Sequence, residues 1–209
     1  MTVVPPPSVS LLDLAERIFH ETELACFVAG SCIDTVSGEI AVEEITAGTL
    51  VLTADHGPQP VRRVLSKTVS GRGALAPVCF DAGVLGNHRP LLVSPNHRMM
   101  VWGWRAEILT GEPEVLVPAD LLAQGSDRIR SRPMDSVTYY HLLFDRHEII
   151  FSQGAPSESY QPFGQDAEER APAVMAELRA LFPELVPELL RAAPARPCMA
   201  PHEAALLRL

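Results

Sequence analysis

One thiol and a few imidazoles hold most of the chemistry open to this chain. Cys26 heads a strand-like run, Cys26-Phe27-Val28-Ala29-Gly30-Ser31-Cys32-Ile33-Asp34-Thr35, immediately behind a short leader. A thiol there can attack the carbonyl carbon of the peptide bond on its own amino side, Ala25–Cys26, provided the chain is bent and the departing nitrogen receives a proton. That proton needs a donor that titrates near neutrality, which is the property of imidazole. His97, in Ser94-Pro95-Asn96-His97-Arg98, is the candidate acid. The segment Tyr140-His141-Leu142-Leu143-Phe144-Asp145-Arg146-His147 is the candidate to close the site.

The elements that must bring these residues together are mostly short strands. Residues 1–8 are Pro-rich and read as a mobile start. Leu11, Leu12, Leu14, Ala15, Ile18 and Phe19 then recur at helical spacing behind Ser10, a suitable cap, with Asp13 in the first turn. From Cys26 the pattern turns to β. Runs around Ile33–Thr35, Ile40–Val42, Leu50–Leu52, Val61–Thr68, Pro77–Phe80, Leu91–Val93, Met99–Trp102 and Val115–Pro118 are divided by Gly, Pro, Asp and Asn. Leu121 and Leu122 mark a brief helical turn, and Tyr139–Phe144 with Glu148–Phe151 read as a closing pair of strands. Past Gly164 the chain becomes helical, with Val174, Leu178 and Leu181 on one side of a helix over Ala167–Leu181. Pro183 and Pro187 interrupt the helical pattern beyond it, and Glu203–Leu209 reads as a last turn or two. Trp102 and Trp104 read as packing residues. The expected organisation is a leader with a short helix over 1–25, a β domain over 26–162 and a helical tail over 163–209.

Composition narrows the function classes. The 209 residues are 47% hydrophobic and 21% charged, enough to bury a core without staples. Asp and Glu number 26 against 17 Lys and Arg, a formal charge of −9, which argues against nucleic acid as a partner because phosphate binding needs a clustered basic surface. Four cysteines, Cys26, Cys32, Cys79 and Cys198, form no Cys-x-x-Cys unit, so neither a zinc site nor a disulfide scaffold is expected. Cys32 and Cys79 read as small core residues. A metal site built from His56, His88, His97, His141 and His147 lacks ligand spacing on any predicted helix. No cofactor and no membrane contact is expected; the default location is the cytoplasm, with secretion by a signal-less route left open.

An ordered set of short motifs resembles a known family. Cys26-Phe27-Val28-Ala29-Gly30, Gly38-Glu39 with Val42-Glu43-Glu44-Ile45 and Gly48, Val51-Leu52-Thr53-Ala54-Asp55-His56-Gly57-Pro58, Ser94-Pro95-Asn96-His97-Arg98, Leu116-Val117-Pro118-Ala119, and His147-Glu148-Ile149-Ile150 with Gly154-Ala155-Pro156-Ser157-Glu158-Ser159 resemble a bacterial Hint domain, the module of hedgehog autoprocessing domains and inteins. The resemblance covers roughly residues 26–160. It implies a mainly β fold, a Hint-type horseshoe of many short strands with a short N-terminal helix and a helical C-terminal tail.

The resemblance also implies roles. Cys26 becomes the nucleophile of an N-to-S acyl shift that converts the Ala25–Cys26 amide into a thioester, with the chain's own amino-terminal segment as substrate. Ser94-x-x-His97 matches the family's Thr-or-Ser-x-x-His motif, in which the His assists breakdown of the amide and the hydroxyl helps hold the scissile bond. Tyr140 to His147 matches the block that closes the site; inteins usually carry Asp after the Tyr, and His141 takes that place here. Inteins end in His-Asn, whereas Ala155-Pro156-Ser157-Glu158-Ser159 contains no Asn, so cleavage without full splicing is expected. The alternative is a catalytically silent Hint fold acting as a binding or structural module, its partner unidentified. A papain-like hydrolase would require a third polar residue to orient His97 and an open groove.

Overall fold

The computed structural model describes residues 9–21, 26–163, 167–183, 186–191 and 193–207. The Pro-rich start at 1–8, Ala25 on the acyl side of the bond at Cys26, Gly164, and Arg208 with Leu209 lie outside the described residues. The chain divides into two compact units, Met1–Glu23 with Pro162–Ala192 and Leu24–Gln161 with Ala193–Leu209. The stretch 163–209 is thus shared between them.

The first unit is helical. Helix α1 (Leu11–Glu21) starts at a reciprocal cap: Ser10 Oγ accepts the Asp13 N–H at 3.2 Å, and the Asp13 carboxylate accepts the Ser10 N–H at 3.0 Å. Leu14, Ala15, Ile18 and Phe19 form its buried face. Val174, Met175 and Leu178 are buried in the same unit, and Arg17 pairs with Glu177 at 2.5 Å. The helix expected over Ala167–Leu181 is broken in two at Ala171, because the residue before a proline is pushed out of the helical region and Pro172 lacks an N–H. Leu181, expected on the apolar side, is exposed.

The second unit is mainly β. Its strands are β1 (Phe27–Val28), β2 (Cys32–Thr35), β3 (Gly38–Ala41), β4 (Leu50–Thr53), β5 (Gly57–Pro60), β6 (Arg63–Val69) and β7 (Val78–Phe80). They continue as β8 (Leu91–Val93), β9 (Arg98–Trp102), β10 (Glu114–Pro118), β11 (Ile129–Ser131), β12 (Val137–Leu143), β13 (Ile149–Ser152) and β14 (Ala155–Glu158). Helices α2 (Trp104–Thr110) and α3 (Ala119–Ala123) precede the α4 (Ala167–Arg170), α5 (Pro172–Leu181) and α6 (Val186–Arg191) of the first unit, and α7 (Pro201–Ala204) follows them. No described helix is long and apolar enough to cross a membrane.

Two antiparallel sheets result, one ordered β11-β7-β8-β1-β12-β6 and one ordered β10-β9-β14-β13-β2-β4-β5, with β3 beside β2. Strand β1 is only two residues long, yet it sits between β8 and β12, and Phe27 is completely buried. The strands expected to close the domain as a pair belong instead to different sheets: β12 pairs with β6 and β1, β13 with β14. Helix α2, which the sequence pattern does not announce, runs between Gly103 and a left-handed Gly111 that stops it. Trp102 and Trp104, expected to pack, are 50% and 65% exposed there.

A two-residue turn, Gln153-Gly154, joins β13 to β14, and both residues have positive φ, 54° and 86°, the geometry that matches strand twist in tight hairpins. A Cβ on Gly154 would lie 3.1 Å from the Gly86 carbonyl oxygen. Gly154→Ala is therefore expected to lower stability by about 1–3 kcal/mol. Gly125→Ala, also at positive φ but facing open space, should cost only about 1 kcal/mol; urea unfolding midpoints of the two variants measure the difference.

Candidate functional site

The site is built where β1 enters the first sheet. Cys26 is completely buried and both of its peptide groups are tied to one residue. Its N–H donates to Ser94 Oγ at 2.6 Å, and its carbonyl accepts the Ser94 N–H at 2.8 Å. Phe27 stands opposite Val93 on β8 and Tyr140 on β12. Continuing that register one residue sets Cys26 between Ser94 and His141. The serine hydroxyl thus accepts a hydrogen bond from the nitrogen that must depart if the Ala25–Cys26 bond is broken.

His97 is delivered by the turn after β8. Its N–H donates to the Ser94 carbonyl at 3.1 Å, closing a turn with Pro95 in the position that favours a fixed φ. The start of α3 locks this turn from outside, because Ala119 N–H donates to the His97 carbonyl and Asp120 N–H to the Pro95 carbonyl, each at 3.0 Å. The His97 ring is fully buried, 4.5 Å from the ring of Phe27 and 5.9 Å from that of His141, centroid to centroid. His141 continues the array to Tyr160 at 4.8 Å. Four of the five residues singled out from sequence, Cys26, Ser94, His97 and His141, are therefore gathered around β1.

His147 sits in a second buried cluster. Its Nε2 lies 3.3 Å from Glu158 Oε2, and its Nδ1 accepts the Ala195 N–H at 3.0 Å. Glu158 also takes the Arg98 N–H on Oε1 at 2.9 Å and faces Arg98 Nη1 at 3.3 Å. Sequence reasoning passes over Glu158 and Arg98 as site residues. The available signal is a charged residue closing the otherwise small and uncharged strand Ala155-Pro156-Ser157-Glu158, which must be paired once the strand is buried.

Residues 25–164 match the family model described as Hint domain. The chain belongs to the Hint domain family. Among solved structures, this Hint domain is similar to a bacterial intein-like domain from Clostridium thermocellum, with 14% identity, a TM-score of 0.47, and coverage of 66% of this chain and 100% of that one. It is similar also to a DnaB intein from Synechocystis sp. PCC 6803, with 12% identity, a TM-score of 0.41, and coverage of 65% and 98%. No curated protein matches it by sequence.

The electrostatics of the Hint domain site oppose a free thiolate. Burial raises the Cys26 thiol well above its ordinary value, the Glu158 charge adds to that, and Lys67 opposes both. The same thiol, after burial, raises the neighbouring Tyr139 hydroxyl. Glu158 behaves in the opposite sense. Burial alone would raise it, but the His147 ring 3.3 Å away and the charge of Arg98 outweigh burial and bring it down to about 2. At neutral pH Cys26 is therefore a protonated thiol and Glu158 an ionised carboxylate.

A carboxylate lowered on folding stabilises the fold above its unfolded value and loses that contribution as acid protonates it. For Glu158 the window runs from about 4.5 down to about 2. At about 1.4 kcal/mol per pH unit the contribution is roughly 3 kcal/mol. Denaturant midpoints of the wild type and Glu158→Gln are expected to differ at pH 6 and to converge towards pH 2.5; a constant difference across that range would contradict the pairing.

Proposed function

We propose that this Hint domain is self-processing: it performs an N-to-S acyl shift at Cys26 and cleaves the Ala25–Cys26 bond without splicing. The observation that carries the reading is the 2.6 Å hydrogen bond from the Cys26 amide to Ser94 Oγ, with His97 at the other end of the same turn. The Cys26 sulfur attacks the Ala25 carbonyl carbon, and its proton passes to an imidazole, for which His141, across the ladder, is assigned. The tetrahedral intermediate collapses when His97 protonates the nitrogen; the C–N bond breaks, the C–S bond is kept, and Cys26 carries a free amine beside a thioester. Ser94 holds the nitrogen in place while its geometry changes from planar to pyramidal. Water or an added thiol then takes the acyl group and regenerates the Cys26 thiol.

An amine is a poor leaving group and a protonated thiol a weak nucleophile, so the rate depends on the two proton transfers. A buried, protonated thiol fits this, since its proton leaves only as the sulfur attacks. Splicing needs an Asn at the carboxyl end, and Ala155–Glu158 is followed by Ser159. The substrate in this reading is the chain's own amino-terminal segment.

A second reading, a silent Hint fold serving as a binding or structural module, is favoured by the full burial of Cys26. One measurement separates the two. Incubated with dithiothreitol or hydroxylamine, the wild-type protein is expected to release the segment ending at Ala25, and mass spectrometry should find a new chain beginning at Cys26. Cys26→Ala should release nothing, and His97→Ala should slow release by about 10²–10⁴-fold, the scale of general acid catalysis. Intact mass indistinguishable from Cys26→Ala would leave the module reading in its place.

A further inference from the structure

Glu158, 3% exposed at the end of β14, places a full negative charge beside the site without contributing an attacking atom. Through Oε1 it fixes the backbone N–H immediately after His97, at 2.9 Å. Its charge acts on both His97 and Cys26. His147 holds the other oxygen: since Nδ1 accepts the Ala195 N–H, the ring hydrogen resides on Nε2 and faces Glu158.

Ala195 is itself held by a strap. Arg196 clamps Asp55 through Nη1 and Nη2 at 2.9 and 2.8 Å and Glu114 through Nε at 2.5 Å. Leu116 N–H donates to the Pro197 carbonyl at 2.8 Å, and Met199 N–H to the Leu116 carbonyl at 2.9 Å, so the strap runs along the edge of β10 that β9 leaves open.

We propose that Glu158 is a positioning residue for the acyl shift: its buried charge keeps a proton on His97, and the strap at Ala195–Met199 holds that charge in register through His147. The inference rests on the reading of His97 as the acid. A buried imidazole packed against Phe27 would otherwise shed its proton, because burial disfavours the charged form. Arg98 from β9 and His147 face Glu158, His141 from β12 faces His97, and Cys26 feels the charges of Glu158 and of Lys67 from β6. Arg98 and Lys67 are positive and work against a second cation. The neighbouring buried carboxylate, Glu148, is engaged by His56 Nδ1 at 2.8 Å. Glu158 supplies the compensating charge.

The test is an NMR titration of the His97 ring in full-length Cys26→Ala, with and without Glu158→Gln. The Gln side chain keeps an acceptor for the Arg98 N–H and removes the charge, so a merely structural role leaves the titration where it was. The midpoint is expected to fall by about one pH unit; an unmoved midpoint overturns the proposal. Arg196→Ala should move it the same way, and no movement there overturns the role of the strap. Should Glu158→Gln not fold, the His97 midpoint in Cys26→Ala itself decides: one at or above the ordinary imidazole value of about 6.5 supports the assignment, and one well below it overturns it. Because Cys26→Ala cannot cleave, a lowered His97 midpoint beside a wild type that releases no peptide sinks the processing reading while the hold of Glu158 on His97 stands.

Discussion

The two hydrogen bonds between Cys26 and Ser94 are the join on which the site depends. Strand β1 has just two residues, and its neighbours β8 and β12 contact it through Phe27 and Val28. Without the Ser94 bonds, the residue before Phe27 would leave the ladder with a buried N–H and C=O unsatisfied, at roughly 1–3 kcal/mol each. With them, Cys26 is held as the last rung of the sheet, its N–H and C=O both fixed by Ser94. The turn that supplies Ser94 also supplies His97, and α3 pins that turn at Pro95 and His97 through backbone amides. Placement of Cys26 and of His97 is therefore one structural event.

Burial sets the second constraint. A water-free pocket strengthens each hydrogen bond and favours neutral groups over charged ones, so an ionisable residue keeps its charge there only beside a partner of opposite sign. Cys26 obeys this by staying protonated. Glu158 obeys it by drawing Arg98 and His147 around itself. The carboxylate and the thiol are thereby pushed to opposite protonation states by one environment, which is how a pocket can hold a proton donor and a charge-stabilising group side by side at one pH.

Much of this is legible along the chain, and the reasons differ from piece to piece. β8 has the bounds its sequence suggests, because Leu91-Leu92-Val93 is apolar and flanked by Pro90 and Ser94-Pro95. Cys26, Ser94, His97 and His141 stand out because their chemistry is rare and their order in the chain is that of the Hint motifs. The segments that mislead are those whose partners are distant. Ile129–Ser131 carries two exposed residues and becomes a strand only by pairing with β7; Ala155–Glu158 contains a proline, which argues against a strand, yet lies buried between β13 and β9. Tyr139–Phe144 and Glu148–Phe151 look like a hairpin by spacing, and no local signal says that the chain changes sheets between them. His147 is grouped with Tyr140 and His141 by nearness along the chain, whereas the fold sets it against Glu158 and Ala195.

The carboxyl end of the β domain bears on which half of the chemistry remains. Ser159 is fastened to Glu148 twice, its N–H donating to the Glu148 carbonyl and its Oγ accepting the Glu148 N–H, both at 2.9 Å. A residue that is to leave the chain by cyclising on its own carbonyl needs a nucleophilic amide side chain and freedom to turn; this position has neither, being a buried serine in a closed ladder. The strap then carries the chain back along β10 and draws a further buried contact from His147. On the proposed reading, the carboxyl-side arm, which splicing would have to break, has become a structural brace. On that same reading its charge, through Glu158, serves the amino-side step.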